Sequence, residues 1–331
     1  MRLQKLTGLE RNKLRAEYDE LTALITDLKD ILNKKERRMS IIKEELLDVR
    51  ERFGDERRSV IEFSGAEVSI EDMIPDEQVV ITISHAGYIK RTRLAEYRSQ
   101  FRGGVGARGS STREEDFLEN IFTATNHNWL LIFTKLGKCF WMRIFEVPEG
   151  SKQSKGRAIQ NLISIGLDDK VLAYIPVKDI KDSEYANANY VVLSTKLGLI
   201  KKTSLEAYSR PRTNGINAVT IREGDELLQA RLTDGDSEVI IGLKSGKAIR
   251  FNESKTRAVG RTAMGVKGIT LGNPDDEVIG MVCVNDPESS ILVVSSNGYG
   301  KRSAVDDYRI TNRGGKGVKT LQITEKTGVL I

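Results

Sequence analysis

A loop at residues 100–109 combines glycine and arginine in a way that suits phosphate binding. It contains Gln100, Arg102, Gly103, Gly104, Gly106 and Arg108. Glycine lacks a Cβ and reaches backbone conformations with positive φ, so the main chain and a partner can approach closely. Arginine adds charged donors that match phosphate oxygens. A single loop of this kind is more often a tight turn between strands, so its meaning depends on whether it recurs.

The pattern recurs around two sets of glycines. The hairpin glycines each follow a strand-like run, and they are Gly87, Gly137, Gly198, Gly246 and Gly298. They are 50, 61, 48 and 52 residues apart. The loop glycines lie 19, 19, 17, 19 and 19 residues further along, and they are Gly106, Gly156, Gly215, Gly265 and Gly317. A period near 50 residues, with room for about four short strands, predicts a propeller-like ring of β blades.

The strand-like runs begin after about residue 60. They are rich in β-branched and aromatic residues and lie at 79–83, 129–133, 190–193, 238–241 and 291–294. Five repeats follow, at about 60–118, 119–180, 181–230, 231–280 and 281–331. We expect each blade to stack on its neighbours, because one repeat cannot bury both of its faces.

Basic residues accompany both sets of glycines. Three hairpin glycines are followed by the pairs Lys90–Arg91, Lys201–Lys202 and Lys301–Arg302. The segments around the loop glycines, here called the rim loops, carry Arg102 and Arg108; Lys152, Lys155 and Arg157; Arg210 and Arg212; Arg257, Arg261 and Lys267; and Arg313, Lys316 and Lys319. In a ring these positions would form one basic belt that can meet the phosphates of a bent duplex. The alternative is a set of solvated turn residues.

Length and composition limit the number of domains and the class of protein. The chain has 331 residues, of which 39% are hydrophobic, which is enough for about two globular domains. Its 52 Lys and Arg against 47 Asp and Glu give a formal charge of +5, too small by itself to indicate nucleic-acid binding. Cys139 and Cys283 lie in separate apolar runs, as expected of buried thiols in a reducing compartment. No secretory or membrane-spanning segment is evident, so we expect a cytoplasmic protein.

Residues 1–58 have a helical rather than a β pattern. Apolar residues follow at alternating spacings of three and four, namely Leu14, Tyr18, Leu21, Ile25, Leu28 and Leu32, and then Met39, Ile42, Leu46, Val49 and Phe53. This heptad seam predicts a coiled-coil helical segment, with a break within the polar stretch 33–38. A seam of this length favours another helix as partner, so we expect self-association through it.

Nearly the whole chain resembles the C-terminal part of the bacterial gyrase A protein, which belongs to the type IIA DNA topoisomerases. Residues 3–10 resemble the start of the helix that leaves the dimer region, and residues 44–46 with 53–58 resemble its end and its linker. Residues 87–91 and 297–302 resemble blade signatures. The loop at 100–106 resembles the seven-residue gyrase-A box, Gln-Arg/Lys-Arg-Gly-Gly-Arg/Lys-Gly. Phe101 and Val105 depart from it, since they replace two basic residues.

The resemblance implies a mainly β fold, in which residues 59–331 form five of the six blades of a DNA-wrapping β-pinwheel after the helical residues 1–58. It implies chiral wrapping of double-stranded DNA in support of ATP-dependent negative supercoiling. The implied partners are the rest of gyrase A and the gyrase B ATPase, in an A2B2 assembly on the bacterial chromosome. The chain itself would hold no cofactor, because ATP and Mg²⁺ would bind other domains. No tyrosine lies in the Arg-Tyr-Thr context of the family's cleaving residue, so the chain alone should not cut DNA.

Two alternatives remain open at this point. The C-terminal domain of the topoisomerase IV relative of gyrase A is similar, with fewer blades and a degenerate box. A propeller-like protein-interaction scaffold, binding acidic partners through the rim loops, would have the same period and strand content. DNA binding across a salt series distinguishes the scaffold from the other two.

Overall fold

The computed structural model of the chain describes residues 8–55, 59, 71–97, 116–166, 168–286 and 288–331. The chain forms two compact units, Met1–Glu67 and Val68–Ile331. The glycine- and arginine-rich loop at 100–109 lies outside the described residues, and with it Gln100, Arg102, Gly103, Gly104, Gly106 and Arg108.

The first unit contains two helices, α1 (Gly8–Asn33) and α2 (Lys35–Phe53). The predicted break falls at Lys34, whose φ of −103° and ψ of 109° are extended. The heptad seam is open to solvent in the described structure, with exposures of 49% at Leu28 and 77% at Phe53. No helix in the described part of the chain is long and apolar enough to cross a membrane.

Where the structure describes it, the second unit is built from short strands, short 3-10 turns and one α-helix, α3 (Ser183–Ala188). The first nine strands are β1 (Gln78–Ser84), β2 (Tyr88–Arg93), β3 (Leu118–Thr125), β4 (Trp129–Thr134), β5 (Lys138–Arg143), β6 (Arg157–Ala158), β7 (Val171–Val177), β8 (Tyr190–Thr195) and β9 (Leu199–Ser204). The others are β10 (Ile216–Asn217), β11 (Leu227–Thr233), β12 (Glu238–Leu243), β13 (Lys247–Asn252), β14 (Val266–Lys267), β15 (Val278–Val284), β16 (Ser290–Val294), β17 (Gly300–Ala304) and β18 (Val318–Lys319).

These strands form five antiparallel sheets, and consecutive repeats share them. The strand orders are β3-β1-β2-β6, β10-β5-β4-β7, β11-β8-β9-β14 and β15-β12-β13-β18, followed by β16-β17 in the part of the chain that the structure describes. In each four-stranded sheet, three strands come from one repeat and the fourth, of two residues, comes from the next. The first sheet therefore runs past the bound of 118 expected from sequence. Its third strand, β3, is largely exposed, so no hydrophobic run marks it.

The inner strand of each four-stranded sheet is buried on both faces. In β4, Leu130 and Ile132 pack with residues of the first sheet, whereas Leu131 and Phe133 pack with residues of the third. This two-sided burial explains why the inner strands are continuous hydrophobic runs rather than alternating ones. The sheets therefore stack in chain order as the blades of a β-pinwheel.

An ion-pair ladder connects the second, third and fourth sheets at their hairpin turns. Glu226 lies 2.5 Å from Lys135 and 3.3 Å from Lys196, and Glu277 lies 3.0 Å from both Lys196 and Lys244. The hydrogen bond from Lys135 lowers the pKa of Glu226, and that from Lys196 lowers the pKa of Glu277. Each carboxylate thus bridges lysines from two neighbouring repeats.

Four aspartates cap the hairpin turns and were not singled out from the sequence. Each accepts a backbone N–H from the turn at about 3 Å and a second one from the residue that follows it. They are Asp116, Asp169, Asp225 and Asp276. Their recurrence just before the third strand of each four-stranded sheet is a sequence signal that could have located these strands.

Candidate nucleic-acid interface

The loop glycines have a structural task in the described repeats. Gly156, Gly215, Gly265 and Gly317 have φ values of 78°, 68°, 94° and 73°. Each directly precedes the two-residue strand that joins the preceding sheet. A Cβ would lie 2.7, 3.0, 2.6 and 2.7 Å, respectively, from a carbonyl oxygen of that sheet. These glycines therefore permit the close approach of two strands.

Most of the predicted basic residues in the described chain are exposed. Those in the rim loops are Lys155, Arg157, Arg210, Arg212, Arg257, Lys267, Arg313, Lys316 and Lys319. Lys152 is half-buried, with its ammonium group 4.5 Å from the centre of the Tyr97 ring. The structure thus presents cations on every described rim loop.

Hydrogen bonds hold the last three rim loops together. Thr220 Oγ1 donates to Thr262 O at 2.7 Å, and Thr270 Oγ1 donates to Gly314 O at 2.6 Å. Arg313 also donates to two carbonyls of the preceding repeat, Lys255 O at 3.0 Å and Lys267 O at 3.2 Å. The basic loops of the third, fourth and fifth repeats therefore form a connected surface rather than independent turns.

Three lysines predicted to contact a ligand are instead in the interior. Lys90, Lys201 and Lys202 are only 2%, 1% and 6% exposed. Lys202 Nζ lies 3.4 Å from Glu253 and 4.3 Å from the centre of the Tyr190 ring. The rim loop of the next repeat covers the strand that carries each lysine, so the prediction of a surface position was wrong for all three.

The buried ammonium groups of Lys90 and Lys201 are held by main-chain carbonyls. Lys90 Nζ donates to Ser151 O at 2.8 Å, Lys152 O at 3.0 Å and Ser154 O at 2.9 Å. Burial lowers the pKa of Lys90, and burial with the charge of Arg261 lowers the pKa of Lys201 to about 8. These cations act inside the fold rather than on its surface.

Arg91 and Arg261 are half-buried. Arg91 Nε donates to Val147 O at 2.8 Å, and its guanidinium lies 3.2 Å from Glu149. At the same register in the second repeat, Trp141 Nε1 donates to Tyr208 O at 3.0 Å. Since a neutral indole makes the same kind of link to the next repeat, the hydrogen bond of Arg91 is part of the packing between blades.

The pair Lys301 and Arg302 has the register of these interior residues and yet is exposed. In the described part of the chain, no later rim loop packs over β17, which carries the pair. Their charges therefore add to the exposed cations of the last repeat. Chemically, the rim loops and this pair together can bind a polyanion through many weak contacts rather than one deep site.

Comparison with known proteins identifies the family to which the five repeats belong. The family model of the DNA gyrase C-terminal domain, beta-propeller, matches residues 78–125, 128–178, 189–234, 244–285 and 289–331. The DNA gyrase A subunits of Staphylococcus epidermidis and Staphylococcus aureus are each 46% identical over 333 aligned residues. The alignment covers 100% of this chain and 37% of either relative, so the chain spans well under half of their length.

Two solved structures are similar in fold. The C-terminal domain of DNA topoisomerase IV has a TM-score of 0.63 and 26% identity, covering 78% of this chain and 77% of that one. The DNA gyrase A C-terminal domain has a TM-score of 0.63 and 25% identity, covering 77% and 81%. With five matched repeats, the stacked sheets and the whole-chain similarity, this chain belongs to the family of DNA gyrase C-terminal β-propeller domains.

Proposed function

We propose that this chain binds and wraps double-stranded DNA as the C-terminal portion of a gyrase A protein. The observation that carries the proposal is the set of exposed arginines and lysines on consecutive rim loops that hydrogen bonds hold together. Bending 20–30 base pairs by 40–90° costs on the order of 1–6 kcal/mol, more than one basic loop can offset. About ten phosphate contacts along a belt can offset it through counterion release.

The proposal assigns roles to the parts of the chain. Residues 59–331 are the DNA-wrapping pinwheel, and residues 1–58 are the coiled-coil arm that connects it to the rest of gyrase A. Together with gyrase B, this assembly would couple ATP hydrolysis to negative supercoiling in the bacterial cytoplasm. DNA cleavage and the use of ATP and Mg²⁺ belong to other parts of that assembly, and we propose that this chain holds no cofactor.

A linking-number experiment tests the wrapping. Nicked plasmid is ligated in the presence of increasing amounts of the protein, and the topoisomers are resolved after the protein is removed. Chiral wrapping shifts the mean linking number in proportion to bound protein. DNA binding without a shift at any ratio would refute the wrapping and would favour the topoisomerase IV alternative.

A salt series tests the interface itself. The exposed Arg257 and the buried Lys202 form a matched pair, since both are basic and only the first can reach a phosphate. For an Arg257→Gln variant we expect the slope of log K against log salt to fall by about one unit. Lys202→Met should leave the slope unchanged. Equal slopes for both variants and the wild type would contradict the rim-loop interface, and negligible DNA binding at low salt would favour a protein scaffold.

A further inference from the structure

Lys90 joins two repeats through a cage of carbonyl oxygens. It lies three residues after the first hairpin glycine, and its three acceptors, Ser151 O, Lys152 O and Ser154 O, all belong to the rim loop of the second repeat. The neighbouring Thr92 Oγ1 donates to Gly150 O of the same loop at 2.7 Å. Strand β2 therefore holds four consecutive or near-consecutive carbonyls of one basic loop.

This arrangement determines which groups the loop can offer to an anion. A carbonyl oxygen carries partial negative charge, so carbonyls on the outer surface would repel a phosphate. The cage turns them inward onto the ammonium group, while Lys155 and Arg157 of the same segment are exposed. Lys201 links the third repeat to the fourth through one such bond, because its Nζ donates to Arg261 O in the rim loop of the fourth repeat and to Ala218 O of its own repeat at 2.5 Å.

Packing alone does not explain a lysine at this position. The second and fourth repeats have Phe140 and Ile249 at the same register, and both are buried. An apolar side chain therefore fills the space between blades. Burying an ammonium group carries a desolvation cost that only its hydrogen bonds can offset. What distinguishes Lys90 and Lys201 from these apolar residues is their hydrogen bonds to the backbone of the rim loops.

We propose that Lys90 and Lys201 are positioning residues for DNA binding, which fix the backbone of the basic rim loops without touching the DNA themselves. The inference rests on the proposed function, because it supposes that these loops contact phosphates. It separates two classes of basic residue: exposed ones that meet the duplex, and caged ones that shape the loops. Loss of a caged lysine should therefore alter contacts made by neighbours that are unchanged in sequence.

The test compares three variants of the full chain. Lys90→Met keeps an unbranched side chain and loses the donors, and Ile249→Met is the matched control at the same register without a cage. Lys155→Gln removes one exposed cation from the caged loop. Hydrogen exchange of peptides covering 150–157, denaturant midpoint and binding of a duplex across a salt series are measured for each.

For Lys90→Met we expect exchange in 150–157 to become at least about tenfold faster. Affinity at fixed salt should fall about tenfold, and the salt slope should decrease by about one to two units, because Lys155 and Arg157 lose their position. Lys155→Gln should reduce the slope by about one unit with unchanged exchange, and Ile249→Met should change neither. A purely structural role for Lys90 would lower the denaturant midpoint and leave the salt slope as in the wild type, which would overturn the inference.

The remaining outcomes are also decisive. If wild-type protein binds the duplex and Lys90→Met exchanges faster but binds equally well, the positioning role is refuted while the proposed function stands. If exchange in 150–157 is unchanged, the cage does not hold the loop and the inference fails at its first step. If the wild-type protein does not bind duplex DNA, the proposed function fails and the positioning role fails with it.

Discussion

Replacing Gly265 with alanine perturbs the short strand that links the third sheet to the fourth repeat. Gly265 has a φ of 94° and precedes β14, whose residues pair with Leu199 and Ile200 of β9. A Cβ would lie 2.6 Å from Ile200 O and 3.1 Å from its carbonyl carbon. Both atoms belong to the main chain, so no side-chain rotation can relieve the contact.

Two other glycines separate the effects that add at Gly265. Gly224 has a φ of 79° and Gly260 has no φ in the left-handed region, and a Cβ at either position meets nothing within 4 Å. Alanine at Gly260 should therefore change the free energy of unfolding by less than about 0.5 kcal/mol. At Gly224 the left-handed conformation costs about 1–2 kcal/mol. At Gly265 the same strain combines with displacement of β14 and its backbone hydrogen bonds, for a total loss of about 3–5 kcal/mol.

The three alanine variants are compared by urea denaturation followed by circular dichroism. Hydrogen exchange of peptides covering 262–271 reports on β14 directly. We expect the loss of stability to increase in the order Gly260, Gly224, Gly265, with faster exchange in 262–271 only for the last. If Gly265→Ala is no less stable than Gly224→Ala, the loop glycines do not serve the close approach between sheets, and their recurrence needs another explanation.

Three further perturbations address charge and association. Lys196 holds the pKa of Glu277 below its usual 4.5, so the stability that Glu277 contributes is complete above about pH 4.5 and is lost as pH falls through the lower folded value. Glu277→Gln should therefore lower the free energy of unfolding by about 0.5–1 kcal/mol at neutral pH and make its fall at acid pH less steep. An unchanged fall at acid pH would contradict the ion-pair ladder. Burial lowers the pKa of Lys201 from 10.5 to about 8, so between these values the unfolded chain binds a proton that the folded chain lacks. The free energy of unfolding of the wild type should then rise relative to Lys201→Met by up to about 3 kcal/mol across this range, and parallel urea midpoints would refute the shift. Leu21 is 52% exposed in the helical seam, so sedimentation should show concentration-dependent dimers that Leu21→Glu weakens, and a strict monomer at high concentration would refute association through the seam.

The periodic features of the fold could be predicted from the sequence because each has a local cause. A hairpin turn needs a glycine at positive φ, and the hairpin glycines Gly87, Gly137, Gly198, Gly246 and Gly298 have φ values from 79° to 86°. The inner strands of the four-stranded sheets are hydrophobic runs because they are buried on both faces, whereas β16 of the last sheet is only partly buried. The break near Lys34 follows from the interruption of the heptad seam.

Long-range pairing could not be predicted in the same way. The sequence places Lys90 and Lys201 beside a glycine turn, and a lysine there looks the same whether it meets water or a loop about 60 residues away. The signal lies in the comparison of repeats, because Phe140 and Ile249 at the same register indicate an interior position. The two-residue strands β6, β10, β14 and β18 are too short to have a hydrophobic pattern of their own. In the sequence they are marked only by the glycine that directly precedes each of them.

Because each four-stranded sheet takes its fourth strand from the next repeat, one sequence repeat does not correspond to one sheet. A gene duplication that copies one repeat copies three strands of one sheet and the edge strand of the sheet before it. Exchange of a repeat between two such proteins would therefore create a new strand pairing at each end of the inserted repeat. At each end, a two-residue strand from one protein must pair with a sheet from the other. Chimeras are better designed by moving each two-residue strand together with the sheet that it completes. The number of blades can then change in evolution only when both junctions remain compatible.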